Sequence, residues 1–188
     1  MAEYESQVEI SIDLDNEEDE IAFQHLLSSL PLEAVVSLTL SKAEIKQPVQ
    51  VALLITTDDT IRSLNKKYRS QDKPTDVLSF PLLEKPIVNA PVDQLWMPSD
   101  LVYGDETQTK QAFVTPPDTT THLGDIVISW PTVIRQAHEV GHNPAYELLL
   151  LLSHGVLHLV GYDDQTEAGY QSMIRLQQSV MEDTGLKV

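Results

Sequence analysis

The chain has 188 residues, a length typical of one domain, and its 41% hydrophobic and 22% charged residues are ordinary for a globular protein. It contains no cysteine, which excludes disulfide scaffolds, thiolate zinc fingers, iron–sulfur clusters and cysteine nucleophiles. The net charge of −17 argues against a nucleic-acid partner, but five of the twelve basic residues lie within residues 62–73, and a local patch of this kind can bind a polyanion.

The first half of the chain predicts an acidic leader followed by mixed strands and helices. Residues 1–20 hold nine acids and no base, which is typical of a partly disordered leader. The alternation of Gln7–Leu14 predicts a first strand that overlaps it. Further patterns predict a helix over 20–30, a buried strand over 49–56, a helix from Thr57 or Asp58 with Ile61, Leu64 and Tyr68 on one face, and a strand over 76–80.

Residues 84–121 differ from the rest, since they hold five of the eleven prolines and show little periodicity. We interpret them as a long irregular insertion in a single catalytic domain, residues 7–188, because they lack the regular apolar positions of a second core. Trp96 and Met97 are the side chains expected to hold this insertion against the domain.

The second half predicts a strand over 122–130, a helix from Pro131 to about His138 and a final amphipathic helix over 165–181 with Tyr170 at core spacing. Between the two helices, Asn143 is a good N-cap and Gly161 a good end for a helix that has almost no polar face. This helix should be central and buried. The predicted class is α+β, a compact single domain with a small mixed sheet and about five helices.

Residues 138–142 spell H-E-x-x-H, the metalloprotease pattern in which two histidines bind zinc and the glutamate is the general base. Gly141 lies inside the motif and Asn143-Pro144 ends the helix directly after it. We therefore expect His138 and His142 to be solvent-facing histidines at a helix end and dispensable for metal binding.

A second motif, HGVLHLVGYDD over residues 154–164, is more favourable to a metal. His154 and His158 lie about 400° apart around a helix, so both imidazoles occupy one face. A turn at Gly161 can bring Asp163 or Asp164 back to them, which would give three ligands and an open fourth position. The alternative is a pair of hydrogen-bonded core histidines with two turn aspartates.

A metal bound there would generate hydroxide near neutral pH and support hydrolysis. Gly155 stands where a protease helix of this kind carries its glutamate, so peptide hydrolysis is disfavoured. A phosphodiester is the better substrate, because lysine or arginine can stabilise the charge of its transition state.

Three blocks resemble the YbeY-type endoribonuclease family. HGVLHLVGYDD is similar to the family signature HGxLHLxGYDH, LNKKYRSQDKPTDVLSFP over 64–81 is similar to LNxxYRxxDxPTDVLSFP, and LGDIVIS over 123–129 precedes the metal helix as in the family. The order of the blocks also agrees, and together they cover most of residues 50–182 apart from the insertion.

The resemblance implies a compact α+β fold and a metal-dependent nuclease for single-stranded RNA that matures rRNA, notably the small-subunit 3′ end, and serves ribosome quality control. Two of the family's three histidine ligands match His154 and His158, and the third position is Asp164, with Asp163 as the alternative ligand. The implied cofactor is one divalent ion, and Zn²⁺ is the expected metal. The arginine of the YR block matches Arg69, the expected catalytic residue.

The expected substrate contacts are Lys66, Lys67, Arg69 and Lys73, which position phosphates. The alternatives are a metalloprotease-like hydrolase and a non-catalytic, metal-containing ribosome assembly factor. The chain start lacks the basic and apolar regions of a signal peptide, so we expect a cytoplasmic protein with RNA and the ribosome or its small-subunit precursor as partners, and neither membrane nor DNA.

Overall fold

The structure is a computed structural model that describes residues 6–97 and 120–185. Within these ranges it is an α+β domain, as predicted. Its strands are β1 (Ser6–Ile12), β2 (Val49–Thr56), β3 (Val77–Pro81) and β4 (Thr121–Ser129). Its helices are α1 (Glu17–Leu27), α2 (Leu32–Lys42), α3 (Asp58–Arg69), α4 (Trp130–Val140), α5 (Pro144–Val160) and α6 (Glu167–Thr184).

The sheet is mixed and has the order β1-β2-β4-β3. Strands β1, β2 and β4 are parallel to one another. Strand β3 pairs with β4 in the antiparallel direction, with Phe80 opposite Asp125. Successive side chains of a strand point to opposite faces. In β4, Ile126 and Ile128 therefore join the main core, while Val127 packs with Ile61 of α3 on the other face.

Helix α5 is the centre of the domain, as its uninterrupted apolar sequence predicts. Asn143 caps it by accepting a hydrogen bond from the amide of Ala145, Pro144 is its first residue and Gly161 ends it with φ 134°. Eleven of its seventeen residues are buried, and eight of these are apolar members of the main core. Because α5 and α3 lie on opposite faces of the sheet, the motifs they carry approach it from opposite sides.

Helix α2 is the element that the sequence analysis missed. The sequence predicts only that Pro31 ends the preceding helix, but Pro31 is also the N-cap residue of α2, directly before its first residue, Leu32. Val35, Val36, Thr39 and Leu40 bury one face of α2. The prediction for Tyr170 was also wrong, because this side chain is 47% exposed whereas Met173 and Met181 are buried.

The acidic first segment contributes two elements to the domain. Strand β1 covers residues 6–12, and α1 begins at Glu17 with Asn16 accepting a hydrogen bond from the amide of Asp19. Four acids occupy the first turn of α1, where the helix dipole favours negative charge. Residues 1–5, and residues 98–119 of the predicted insertion, lie outside the described residues.

Among the described helices, none is by itself both long and apolar enough to cross a membrane. The bent pair α1 and α2 meets the length and composition criteria only when its two members are taken together.

Candidate metal centre

Three predicted ligands converge at the carboxyl end of α5. The Nε2 atoms of His154 and His158 are 3.0 Å apart, and Asp164 Oδ2 lies 3.8 Å from the first and 3.9 Å from the second. Both histidines are half-buried, and Asp164 is exposed at the surface. Among the residues that the structure describes, this is the group of three whose donor atoms are close enough to share an ion.

The spacing of these atoms matches a small divalent ion. A point equidistant from the three donor atoms lies about 2.1 Å from each, which is the usual length of zinc–nitrogen and zinc–oxygen bonds. Two nitrogens and one carboxylate oxygen are also ligands that zinc accepts, so the residues fit the ion.

The ring of His158 is oriented by the turn that follows α5. Its Nδ1 lies 2.9 Å from the carbonyl oxygen of Tyr162, an acceptor, so Nδ1 carries the proton and donates it. Nε2 is then unprotonated and directs its lone pair towards His154. A hydrogen bond from the second ring nitrogen to a carbonyl is the usual way in which proteins orient a metal-binding histidine.

His158 is neutral at physiological pH. Burial, followed by the neighbouring His154, lowers the pKa of His158 to about 4, against an ordinary value near 6.5. The carboxylates of Asp164 and Asp163 and the carbonyl of Tyr162 oppose this shift but do not reverse it. The ring is therefore unprotonated and available as a ligand at pH 7.

We expect the metal-free protein to lose stability between pH 6.5 and 4 because of His158. The pKa of His158 is lower in the folded protein than in the unfolded chain, so the unfolded chain binds a proton first as the pH falls. The free energy of unfolding is therefore unaffected above pH 6.5 and decreases by up to about 3 kcal/mol towards pH 4. Chemical denaturation at several pH values, with a chelator present, measures it. His158→Asn should flatten this part of the profile, and an unchanged difference between the two proteins would contradict the assignment.

Asp163 and Asp164 differ in what they contact. Asp163 lies against α6, where a Cβ on Gly169 would come within 2.0 Å of the Asp163 carbonyl oxygen. The side chain of Asp163 accepts a hydrogen bond from the amide of Gln165, while the side chain of Asp164 faces the two histidines. This geometry favours Asp164 as the third ligand, and the choice between the two remains a prediction.

Gly155 is required by close packing between α5 and β4. A Cβ at this position would lie 2.9 Å from Cδ1 and Cγ2 of Ile126, which is shorter than any ordinary contact. A glutamate at this position has no space. The absence of a protease-type general base from this helix therefore has a steric reason.

We expect Gly155→Ala to destabilise the protein by about 1–2 kcal/mol, although alanine is the better helix former. Overpacking costs about 1–3 kcal/mol, and the propensity gain offsets at most about 1 kcal/mol of it. Urea denaturation tests this, with Ile126→Val, which removes Cδ1, as the partner in a double-mutant cycle. Additive effects of the two changes would show that the contact does not govern this position.

The H-E-x-x-H motif does not form one helical face. Helix α4 ends at Val140, before the second histidine, and Gly141 follows it in the left-handed conformation with φ 80°. His138 is exposed, but the solvent-facing prediction was wrong for His142, whose side chain is only 10% exposed and pairs with Glu147. The dispensability of both histidines for metal binding remains a prediction.

The basic residues of α3 and the following loop divide into paired and unpaired groups. Arg62 and Lys66 both bind Asp72, at 2.7 and 2.8 Å, and the hydrogen bonds from Lys66 and Arg62 lower the pKa of Asp72. Lys66 is thus partly neutralised, which the sequence did not indicate. Exposed Arg69, in contrast, has no ion-pair partner among the described residues.

The remaining two predicted contacts, Lys67 and Lys73, are exposed. Lys67 places its ammonium 4.9 Å from the ring centroid of Tyr68, and that ring packs edge-on against Phe80 at 5.2 Å. Tyr68 therefore contributes to packing on the α3 face of the sheet, although 56% of it is exposed.

The carboxyl ends of α3 and α5 meet the same part of the sheet from opposite faces. Tyr68, beside Arg69, contacts Phe80, whose carbonyl lies against Gly124 of β4. Leu159, beside His158, contacts the same glycine, within 3.1 Å of the position that a Cβ would take. Arg69 thus belongs to a helix on one face of the sheet and the histidines to a helix on the other, and both helices end near the edge strand β3.

The chain is similar to known proteins along most of its length. The family model for endoribonuclease YbeY matches residues 13–185. The chain is 40% identical over 146 residues to a curated endoribonuclease YbeY from Dehalococcoides mccartyi strain BAV1, covering 78% of this chain and 81% of that protein. It is 36% identical over 173 residues to the endoribonuclease YbeY of Desulforamulus reducens, covering 92% and 96% of the two chains.

Proposed function

Because the chain belongs to the endoribonuclease YbeY family, we propose that it is a metal-dependent endoribonuclease acting on single-stranded RNA. The observation that carries the metal dependence is the convergence of His154, His158 and Asp164 around a point that fits one divalent ion. We propose Zn²⁺ as this ion, because the donors are two imidazoles and one carboxylate.

The ion, when bound, supplies a nucleophile at neutral pH and polarises the phosphodiester. His154, His158 and Asp164 would hold the ion, and the Tyr162 carbonyl keeps the His158 ring in the tautomer that can bind it. Arg69 is proposed to bind phosphate oxygens, since its guanidinium is exposed and unpaired among the described residues. Lys67 and Lys73 add positive charge along the same helix end and loop.

The arrangement favours a strand that can bend around an edge of the sheet. An RNA that contacts both Arg69 and the histidines must pass the β3 edge near Phe80, where α3 and α5 end on opposite faces. Single-stranded RNA can follow such a path, whereas a stiff A-form duplex presents its phosphates on a fixed cylinder. This supports a preference for single strands.

The finer assignment is rRNA maturation, notably at the small-subunit 3′ end, with a role in ribosome quality control and a location in the cytoplasm. Its support is the correspondence of the three sequence blocks with the family. We propose the ribosome or its small-subunit precursor as the partner that presents the RNA.

Cleavage assays with and without a chelator test the proposal. Labelled single-stranded RNA, the same sequence as a duplex, and casein are incubated with the zinc-loaded protein. We expect chelator-sensitive cleavage of the single strand. Casein cleavage would favour a metalloprotease, and absence of any cleavage by metal-loaded protein, also with ribosomal particles as substrate, would favour a non-catalytic assembly factor.

A further inference from the structure

The described start of the proline-rich insertion, residues 86–96, packs against the carboxyl end of the metal-binding helix. We name this stretch the docked segment. Gly161 is the point of contact, because a Cβ there would lie 2.5 Å from Cβ of Pro86 and 3.3 Å from Cγ2 of Val88. Val88 is buried in the main core. Because Gly161 has no side chain, the docked segment can pack against it, and the same residue ends α5.

The docked segment satisfies backbone groups that the end of a helix leaves without partners. The last four carbonyls of an α-helix accept no hydrogen bond from an amide of the same helix. Here the amide of Ile87 donates to the carbonyl of Val160 at 3.0 Å, and the indole Nε1 of Trp96 donates to the carbonyl of His158 at 2.9 Å. The carbonyl of Val160 thus gains a donor from the docked segment, and the carbonyl of His158, which also accepts from the amide of Gly161 at 3.2 Å, gains a second donor from it.

The same segment also pairs with the turn that carries the third ligand. Leu95 and Tyr162 form an antiparallel bridge, in which the amide of Trp96 donates to the carbonyl of Gly161 and the amide of Asp163 donates to the carbonyl of Gln94. The hydroxyl of Thr166 donates to the carbonyl of Asp93, beyond the turn. The backbone from Gly161 to Thr166 is therefore held on both sides of Asp164.

We propose that Trp96 is a positioning residue for the metal centre, and that the docked segment fixes His158 and Asp164 relative to each other. Trp96 holds the main chain of His158 through its indole and the start of the ligand turn through its amide. The Tyr162 carbonyl that orients the His158 ring lies in the same bridged turn. This inference rests on the proposed metal-dependent function, but it concerns residues outside the three ligands.

Zinc affinity of Trp96→Phe tests this inference, because phenylalanine keeps an aromatic ring and removes the donor. We expect zinc binding, measured by competition with a chromophoric chelator, to weaken about tenfold, the range for loss of a hydrogen bond that supports a metal ligand. Trp130→Phe is the matched control, since Trp130 packs on Phe23 away from the ligands, and it should bind zinc as the wild type does.

A purely structural role for Trp96 would lower the melting temperature of the metal-free protein and leave the zinc affinity unchanged, which would overturn the inference. If Trp96→Phe does not fold, Trp130→Phe provides the second measurement, because Trp96 is then the only tryptophan. Its emission should change when Zn²⁺ saturates the site, and constant emission would contradict the coupling. A wild type that binds no Zn²⁺ would contradict the proposed function itself, whereas equal affinities contradict the role of Trp96 alone.

Discussion

His158→Ala will remove the metal from the protein and with it the cleavage of RNA. Two ligands would remain. The substitution removes the imidazole of His158, whose tautomer the Tyr162 carbonyl fixes. The fall in zinc affinity should exceed the roughly 10–100-fold that loss of a supporting contact costs, because a ligand itself is absent. Metal analysis after loading with excess Zn²⁺ and gel filtration measures the bound ion per chain.

The control for this prediction is His138→Ala. His138 is an exposed histidine of the H-E-x-x-H motif, so its replacement should leave the metal content and the melting temperature unchanged. His142 is a poorer control, because its removal would leave the buried Glu147 without its partner. Equal metal content in His158→Ala and wild type would place the ion elsewhere.

The same metal analysis separates the two aspartates. Asp164→Ala should lose most of the zinc, because the carboxylate faces both histidine Nε2 atoms, whereas Asp163→Ala should retain it. The reverse result would leave the two histidines as ligands and reassign only the third.

The helix that carries the histidines was predictable in detail because its signals are local. Asn143, Pro144 and Gly161 specify the two ends of α5, and the apolar sequence between them requires burial. The same local reasoning predicts that Asp163 or Asp164 returns to the histidines, since a glycine turn can bring the chain back, and the family resemblance gives the third position to Asp164. In α2, in contrast, Pro31 gave an ambiguous signal, because proline can end one helix and precede the next.

Contacts between distant parts of the chain were not predictable from local patterns. The hydrogen bond from Trp96 to the carbonyl of His158 joins residues 62 positions apart. The sequence predicted that Trp96 and Met97 would hold the insertion to the domain; Trp96 contacts the end of α5, and Met97 is 57% exposed. The pairing of Lys66 with Asp72 likewise depends on how the loop after α3 folds back.

Arg69→Lys will slow RNA cleavage by about 10²–10³-fold, although the net charge does not change. Arg69 is exposed and has no carboxylate partner among the described residues, so its guanidinium can bind two phosphate oxygens. Lysine offers a single ammonium at a different distance. Loss of one donor to the transition state costs about this factor. Single-turnover cleavage of a single-stranded RNA measures the rate, and thermal melts confirm folding.

Arg62→Lys makes the same chemical change on the same helix, and it should leave the rate nearly unchanged because Arg62 already binds Asp72. Lys67→Ala should weaken RNA binding and make it less dependent on salt, since it removes one phosphate contact without changing the transition state. The contrast between the two arginines distinguishes bidentate recognition from general electrostatics. If Arg69→Lys cleaves as fast as Arg62→Lys, then Arg69 acts only through its charge, and the bidentate role is wrong.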